Sequence, residues 1–117
     1  MTSEALRDHV VAALEDLKGH DILALKVADL TTITDYMVLV SGTSNRHVKA
    51  MVDQVLETAK QVGDPALGVE GLGANEWVLL DLGDVLVHVM QKEAREFYDL
   101  ERLWSELPRE SDTELVT

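Results

Sequence analysis

The segment that decides the fold is WVLLDLGDVLVHVM, residues 77–90. Two apolar runs flank the dipeptide Gly83-Asp84, which is a typical two-residue turn, so the segment predicts a β-hairpin with strands at 77–82 and 85–90. In such a hairpin the residues that flank the turn pair directly, and alternate residues share a face. One face is then purely aliphatic and is predicted to be core: Val78, Leu80, Leu82, Val85, Val87 and Val89.

The opposite face of this hairpin is chemically mixed. Its predicted cross-strand pairs are Asp81 with Leu86, Leu79 with His88 and Trp77 with Met90. One interpretation is a face half-covered by the last helix, on which Asp81 and His88 satisfy each other, since buried polar groups normally find partners. The other is a protein-binding surface, since Trp and Met are enriched at interfaces. A basic partner would then meet Asp81 and the nearby Asp84.

Helices and further strands are predicted on the N-terminal side of the hairpin. Apolar residues at helical spacing predict a helix at 3–18 with Ser3 as its N-cap, and a helix at 44–62 with Ser44 as its N-cap. Short continuous apolar runs at 22–28 and 36–41 predict strands that are covered on both faces.

A short strand at 67–70 and a last helix at 92–107 complete the element order α-β-β-α-(β)-β-β-α. This order predicts an α+β fold, an α/β sandwich in which helices pack on a small mixed sheet. We expect a single domain at residues 1–107 and a polar, flexible C-terminal tail at 108–117.

Composition and charge narrow the class of protein. The chain has 117 residues and no cysteine, which excludes a disulfide framework, a thiolate nucleophile and any Cys-ligated metal. Its net charge of −12 disfavours binding to phosphate backbones, so little direct contact with nucleic acid is expected and a basic protein is the expected partner. The longest apolar runs have about five residues, against the roughly 20 that a membrane span needs. The acidic start, MTSEALRDHV, predicts a cytoplasmic location.

Three blocks of the sequence resemble the RsfS/Iojap family of ribosomal silencing factors. The first is ITDY at 33–36 with SGTSNRHV at 41–48, the second is VEG at 69–71 with WVLLDLGDVLVHVM at 77–90, and the third is EAREFYDLERLW at 93–104. Each block alone is modest evidence, but all three occur in order at natural spacing. Together they cover about residues 4–105, nearly the whole predicted domain.

This resemblance implies a fold related to nucleotidyltransferases but without their catalytic acids. It implies binding to the intersubunit face of the large ribosomal subunit, through the basic protein conventionally numbered fourteen of that subunit. An attached factor would block joining of the small subunit and repress translation when nutrients run short. The resemblance also implies a role in large-subunit maturation. Such blocking by bulk requires no catalytic residue, no cofactor and no metal.

The resemblance and the mixed hairpin face together predict the partner-binding residues. Trp77, Asp81 and His88 are the first of these, with Leu79 and Met90 beside them; Asp84 and Glu70 are expected nearby, and Arg95 and Tyr98 are expected at the rim. Structural alternatives remain open for four of these positions. Trp77 is also consistent with a half-buried anchor, Asp84 with a turn residue, Glu70 with a solvated loop acid, and Arg95 with a surface ion pair.

A nucleotidyltransferase-like enzyme or nucleotide sensor is the alternative function. It would use Gly42-Thr43-Ser44, which lies between a predicted strand and a helix N-terminus, a natural phosphate site. Against it, Asp53, Asp81 and Asp84 do not form an Asp-x-Asp pair on one strand, as a magnesium site there would need. The residues that follow, Arg46 and His47, are expected to be exposed in the first helical turn, where their charge is unfavourable.

A third hypothesis is a homodimeric adaptor that uses the same mixed face for a second copy of the chain. A metal site is not predicted, because His9, His20, His47 and His88 share no close ligand spacing.

Overall fold

The computed structural model describes residues 1–98. In this range the chain forms three helices and five strands. The helices are α1 (Ser3–Asp16), α2 (Asn45–Gln61) and α3 (Lys92–Tyr98); the strands are β1 (His20–Lys26), β2 (Tyr36–Gly42), β3 (Gly68–Glu70), β4 (Trp77–Asp81) and β5 (Val85–Gln91). The predicted element order is therefore confirmed. The end of the last predicted helix, residues 99–107, and the tail at 108–117 lie outside the described residues.

The five strands form one mixed sheet in the order β1-β2-β5-β4-β3. The central pair, β2 and β5, is parallel, whereas the other three neighbouring pairs are antiparallel. A parallel pair requires a long crossover, and α2 lies within the chain that connects β2 to β5. The fold is therefore the α+β sandwich that the element order predicts.

The hairpin of β4 and β5 has the predicted register. Val78 pairs with Val89 and Leu80 with Val87, and the Leu82 N–H donates to the Val85 carbonyl oxygen at 3.0 Å. Gly83 occupies the turn with φ +82°, a conformation that favours glycine. Turn chemistry and strand alternation thus fix together which side chains share each face.

Helices α1 and α2 cover one face of the sheet and form the main core with it. The six aliphatic hairpin residues predicted to be core are all at most 5% exposed. They pack with apolar residues of both helices, including Leu6, Val10, Leu14, Val48, Met51 and Val55. Burying each such side chain contributes about 1.5–3 kcal/mol, so this face supplies the main driving force for folding.

The helix caps were predicted with mixed success. Ser44 caps α2 as predicted, since its Oγ accepts from the His47 N–H at 3.0 Å. The prediction of Ser3 as the cap of α1 is wrong. Thr2 has the extended backbone of a cap and its Oγ1 accepts from the Ala5 N–H, so Ser3 is the first helical residue. Adjacent hydroxyl residues are both good caps, and propensity alone does not choose between them.

Every residue of β2 is buried, which confirms the prediction that this strand is covered on both faces. In β1 the buried residues run from Ile22 to Leu25. Within residues 1–98, no helix is both long and apolar enough to cross a membrane.

Candidate functional site

The candidate site lies on the sheet face opposite α1 and α2. We call it the mixed face and define it by six residues of β3, β4 and β5: Glu70, Trp77, Leu79, Asp81, Leu86 and His88. Next to the mixed face, mainly on β1 and β2, lies a second cluster of buried apolar side chains. Its members are Leu23, Leu25, Val27, Met37, Leu39 and Met90. Trp77 and Leu86 pack at the edge of that cluster and are only partly buried. Among the described residues, the mixed face thus has apolar groups that reach the surface.

Trp77 and His88 are joined on this face by a hydrogen bond. The indole Nε1–H donates to His88 Nδ1 at 3.0 Å, and the ring centroids lie 5.8 Å apart. Trp77 is directly opposite Met90 and His88 is directly opposite Leu79, so the bonded residues are diagonal neighbours in the antiparallel ladder. Diagonal neighbours are within reach of long aromatic side chains.

His88 is held neutral by its surroundings. It is only 9% exposed, and desolvation by burial lowers its pKa from 6.5 to about 4. Because Nδ1 accepts the indole proton, the hydrogen-bond pattern assigns the imidazole proton to Nε2. That Nε2 is buried and has no hydrogen-bond partner among residues 1–98. An unmet buried donor costs about 1–3 kcal/mol, so this imidazole is an unfavourable choice for packing alone.

Asp81 does not pair with His88, so the expectation that these two side chains satisfy each other is wrong. Asp81 Oδ1 instead accepts from the Gly83 N–H at 2.9 Å, within the adjacent turn. The carboxylate is half-buried at the end of β4. Its contact is local because an Asp side chain readily bonds the backbone two residues ahead. It therefore shapes the turn and also adds a negative charge to the mixed face.

Glu70 and Asp84 extend the negative charge around this face. Glu70 is exposed on the edge strand β3 and lies directly opposite Leu79. The Asp84 side chain is exposed, while its carbonyl oxygen accepts from the Asp35 and Tyr36 N–H groups at 3.0 Å each. The described residues of the mixed face include no Lys or Arg. A cationic surface is therefore the complementary partner for this face.

Two of the predicted binding residues are buried. Met90 is fully buried in the second apolar cluster. Arg95 is 5% exposed, and its Nη1 donates to the Asp21 carbonyl oxygen at 2.7 Å and to Ser41 Oγ at 3.0 Å. The expectation that Arg95 lies at the surface is therefore wrong; Asp99, one of the two acids expected to pair with it, lies outside the described residues. Arg95 fastens α3 to the start of β1 and the end of β2.

Tyr98 is the last residue of α3, three positions after Arg95. Sequence reasoning missed the Arg95 contact because its carbonyl partner is 74 residues away along the chain. The signal that could have found it is a polar residue, Ser41, inside an otherwise apolar strand.

The turn at Gly42-Thr43-Ser44 is occupied by internal hydrogen bonds. His47 Nδ1 accepts from the Thr43 N–H at 3.0 Å, and His47 Nε2 donates to the Leu17 carbonyl oxygen at 2.8 Å. The expectation that His47 is exposed is therefore wrong: it is half-buried and joins the C-cap of α1 to the start of α2. Arg46 is exposed as expected. A phosphate bound at this turn would have to displace these contacts.

A search for three or more His, Asp or Glu side chains placed to hold a metal ion finds none within residues 1–98. Among the described residues the two candidate sites are thus an internally bonded turn and the mixed face, with its partly exposed apolar groups and its acidic groups. The mixed face is the one suited to contact another macromolecule.

Comparisons with known proteins agree with this description. The family model described as ribosomal silencing factor during starvation matches residues 1–117. A ribosomal silencing factor of Haemophilus influenzae is 42% identical over 101 residues, which cover 86% of this chain and 99% of the relative. A mouse protein named for mitochondrial assembly of the ribosomal large subunit is 38% identical over 84% of this chain and 44% of its own length.

The fold is also shared with a solved structure. A crystal structure of a protein from Chromobacterium violaceum superimposes with a TM-score of 0.87 and 38% sequence identity, covering 100% of this chain and 98% of that one. The match of the family model over the full length, together with the 42% identity to a named relative, leads to one conclusion. The chain belongs to the ribosomal silencing factor family.

Proposed function

We propose that this protein binds the intersubunit face of the large ribosomal subunit through the basic protein numbered fourteen and blocks joining of the small subunit. Translation would be repressed under nutrient limitation. Membership of the silencing family supports the general role, and the family description refers to starvation. The name of the mouse relative supports the large subunit as the partner and supports a further role in its maturation. A cytoplasmic location follows from the proposed partner.

The observation that carries this proposal is the chemistry of the mixed face. Its centre contains the partly exposed side chains of Trp77, Leu79 and Leu86, and its edge carries Glu70 and Asp81. An apolar centre with a charged rim is the usual anatomy of a protein interface. Because the rim charges are negative, they fit a basic ribosomal protein and steer its approach.

The charge of the whole chain supports a protein rather than an RNA contact. A net charge of −12 repels the phosphates that surround every ribosomal protein, so contact with rRNA is expected to be minor. The attraction to one basic protein must therefore be local and well placed. Glu70 and Asp81 on the mixed face provide such local charges.

Co-sedimentation with purified large subunits tests the proposal. The wild-type protein is expected to pellet with large subunits, and Trp77→Ala is expected to weaken binding by more than about 1 kcal/mol, as removal of a central aromatic anchor usually does. Gln61→Ala, on the exposed surface of α2, is the control and should bind as wild type. Folded wild-type protein that stays in the supernatant would contradict the proposal.

A further inference from the structure

The indole ring of Trp77 has one polar group, and that group is directed into the protein. Its Nε1–H donates to His88 Nδ1 at 3.0 Å, and His88 is 9% exposed. Trp77 itself is only partly buried. What the indole offers at the surface is therefore its carbon framework, because its single hydrogen-bond donor is used inside the mixed face.

His88 is suited to this contact and poorly suited to simple packing. Burial favours the neutral imidazole, which has a lone pair on Nδ1 for the indole proton. The proton on Nε2 meets no acceptor among the described residues. Leu79 on β4 and Leu39 on β2 are the direct neighbours of His88 across the sheet. An aliphatic residue at position 88 would pack between these two leucines and would leave no hydrogen-bond donor unmet. The indole bond is the contact that distinguishes His88 from its aliphatic neighbours.

We infer that His88 is a positioning residue, which fixes the orientation of Trp77 so that a docking partner meets the carbon surface of the indole. This inference rests on the proposed function and specifies the chemistry of the partner at that point. The fitting group is an Arg or Lys side chain, whose stem packs on the ring and whose charge lies over it on the side of Glu70, the acid opposite Leu79. A partner group that needs a donor from the indole does not fit.

A matched pair of substitutions separates this role from packing. Asn and Leu have similar sizes, and the Asn carbonyl oxygen lies close to the position of His Nδ1. His88→Asn therefore keeps an acceptor for the indole, whereas His88→Leu removes it. Trp77→Phe keeps an aromatic ring and removes the donor. The chain has two tryptophans, so it gives two indole N–H signals by NMR, and loss of one in Trp77→Phe assigns the signal of Trp77.

Two measurements are then made on each variant. NMR of the free protein reads the environment of the Trp77 indole N–H, and co-sedimentation reads the affinity for large subunits. We expect His88→Asn to keep an indole signal of a hydrogen-bonded donor and to bind within about twofold of wild type. His88→Leu should move that signal towards the solvent-exposed value and bind about five- to tenfold more weakly, the loss expected for one orienting hydrogen bond. Trp77→Phe should lie between wild type and Trp77→Ala.

The outcomes that contradict the inference are distinct from those that contradict the proposed function. If His88→Leu moves the indole signal and still binds as wild type, His88 does not position Trp77 for docking. If Trp77→Phe binds large subunits as tightly as wild type, the bond between the indole and His88 does not position the ring for docking, and this result contradicts the inference even if His88→Leu fails to fold. Wild-type protein that does not bind large subunits overturns the proposed function itself, and the inference with it.

Discussion

The two faces of the central sheet are made by the same strands, yet they differ completely in chemistry. In β4, Leu80 faces α1 and α2 and is fully buried, whereas its neighbour Leu79 lies on the mixed face and is partly exposed. The helix-covered face of the hairpin is aliphatic throughout, while the mixed face holds an indole, an imidazole and carboxylates. We therefore propose that one face specifies the fold and that the other serves for binding.

The hydrogen bonds of the mixed face support the same distinction. A core selected for stability alone would contain no unmet donor, yet His88 Nε2 is buried without a partner among residues 1–98. Its companion Nδ1 accepts from Trp77, a residue that reaches the surface. This polar arrangement is therefore better explained by the surface it shapes than by the core it fills.

The largest expected effect comes from the matched pair Leu80→Ala and Leu79→Ala. Leu80→Ala should lower the free energy of unfolding by about 2–5 kcal/mol, because it leaves a cavity in the main core. Leu79→Ala should cost less stability than Leu80→Ala, because Leu79 is already partly in water, but it should weaken binding to large subunits. Urea unfolding and co-sedimentation measure the two quantities. Equal losses of stability would remove the distinction between the faces.

The next effect is a pH dependence that arises from His88. Its pKa is about 4 in the folded protein against 6.5 ordinarily, so below pH 6.5 the unfolded chain binds the proton first. The free energy of unfolding should therefore fall as pH decreases from 6.5 to 4, by at most about 3 kcal/mol, and this contribution is fully present above pH 6.5. Urea unfolding at a series of pH values measures it.

His88→Leu is the control for this pH dependence, since it retains every other titrating group. As pH decreases from 6.5 to 4, the free energy of unfolding of wild type should fall relative to that of His88→Leu. Above pH 6.5 the difference between the two proteins should be constant. A difference that does not vary with pH would mean that His88 titrates normally and is not desolvated on the mixed face.

A smaller effect is expected on the helix side of the sheet from His47. His47→Ala removes the donor to the Leu17 carbonyl oxygen and the acceptor for the Thr43 N–H. We expect a loss of about 1–2 kcal/mol in the free energy of unfolding, with the affinity for large subunits unchanged. Thermal unfolding and co-sedimentation measure these two effects. Loss of binding by a folded His47→Ala variant would place a second docking contact at the helix side.

The smallest effect is expected from the rim charge. Glu70→Lys on the mixed face and Glu57→Lys on α2 both change an exposed acid to a base. We expect Glu70→Lys to weaken binding by roughly 1 kcal/mol at low salt, with the difference shrinking as salt screens it, and Glu57→Lys to have little effect. Binding measured at several salt concentrations gives the comparison. If both variants change the affinity for large subunits equally at every salt concentration, net charge rather than the position of Glu70 explains the effect.

Much of the fold could be predicted because it depends on local pattern. Strand alternation around Gly83-Asp84 gave the hairpin register and the aliphatic core face, and Ser44 was correctly predicted to cap α2. The parallel pairing of β2 with β5 could not be derived in this way. It joins segments that are far apart in the chain, and hydrophobicity alone does not specify strand order.

The site could be predicted only as a set of residues, not as contacts. Alternation placed Trp77, Asp81 and His88 on one face, but it could not tell which diagonal neighbour would bond the imidazole. The positions of His47 and Arg95 were predicted wrongly for a related reason, since their partners are backbone carbonyls 30 and 74 residues away. Contacts to distant backbone leave little trace in sequence pattern.

The most direct test of the central claim is a subunit-joining assay by light scattering. Purified large subunits are first incubated with the protein, and small subunits are then added. The account predicts that wild type reduces the joined particles, that Leu79→Ala needs a higher concentration for the same effect, and that Gln61→Ala acts as wild type. Undiminished joining with bound wild-type protein, or equal potency of folded Leu79→Ala, would contradict it.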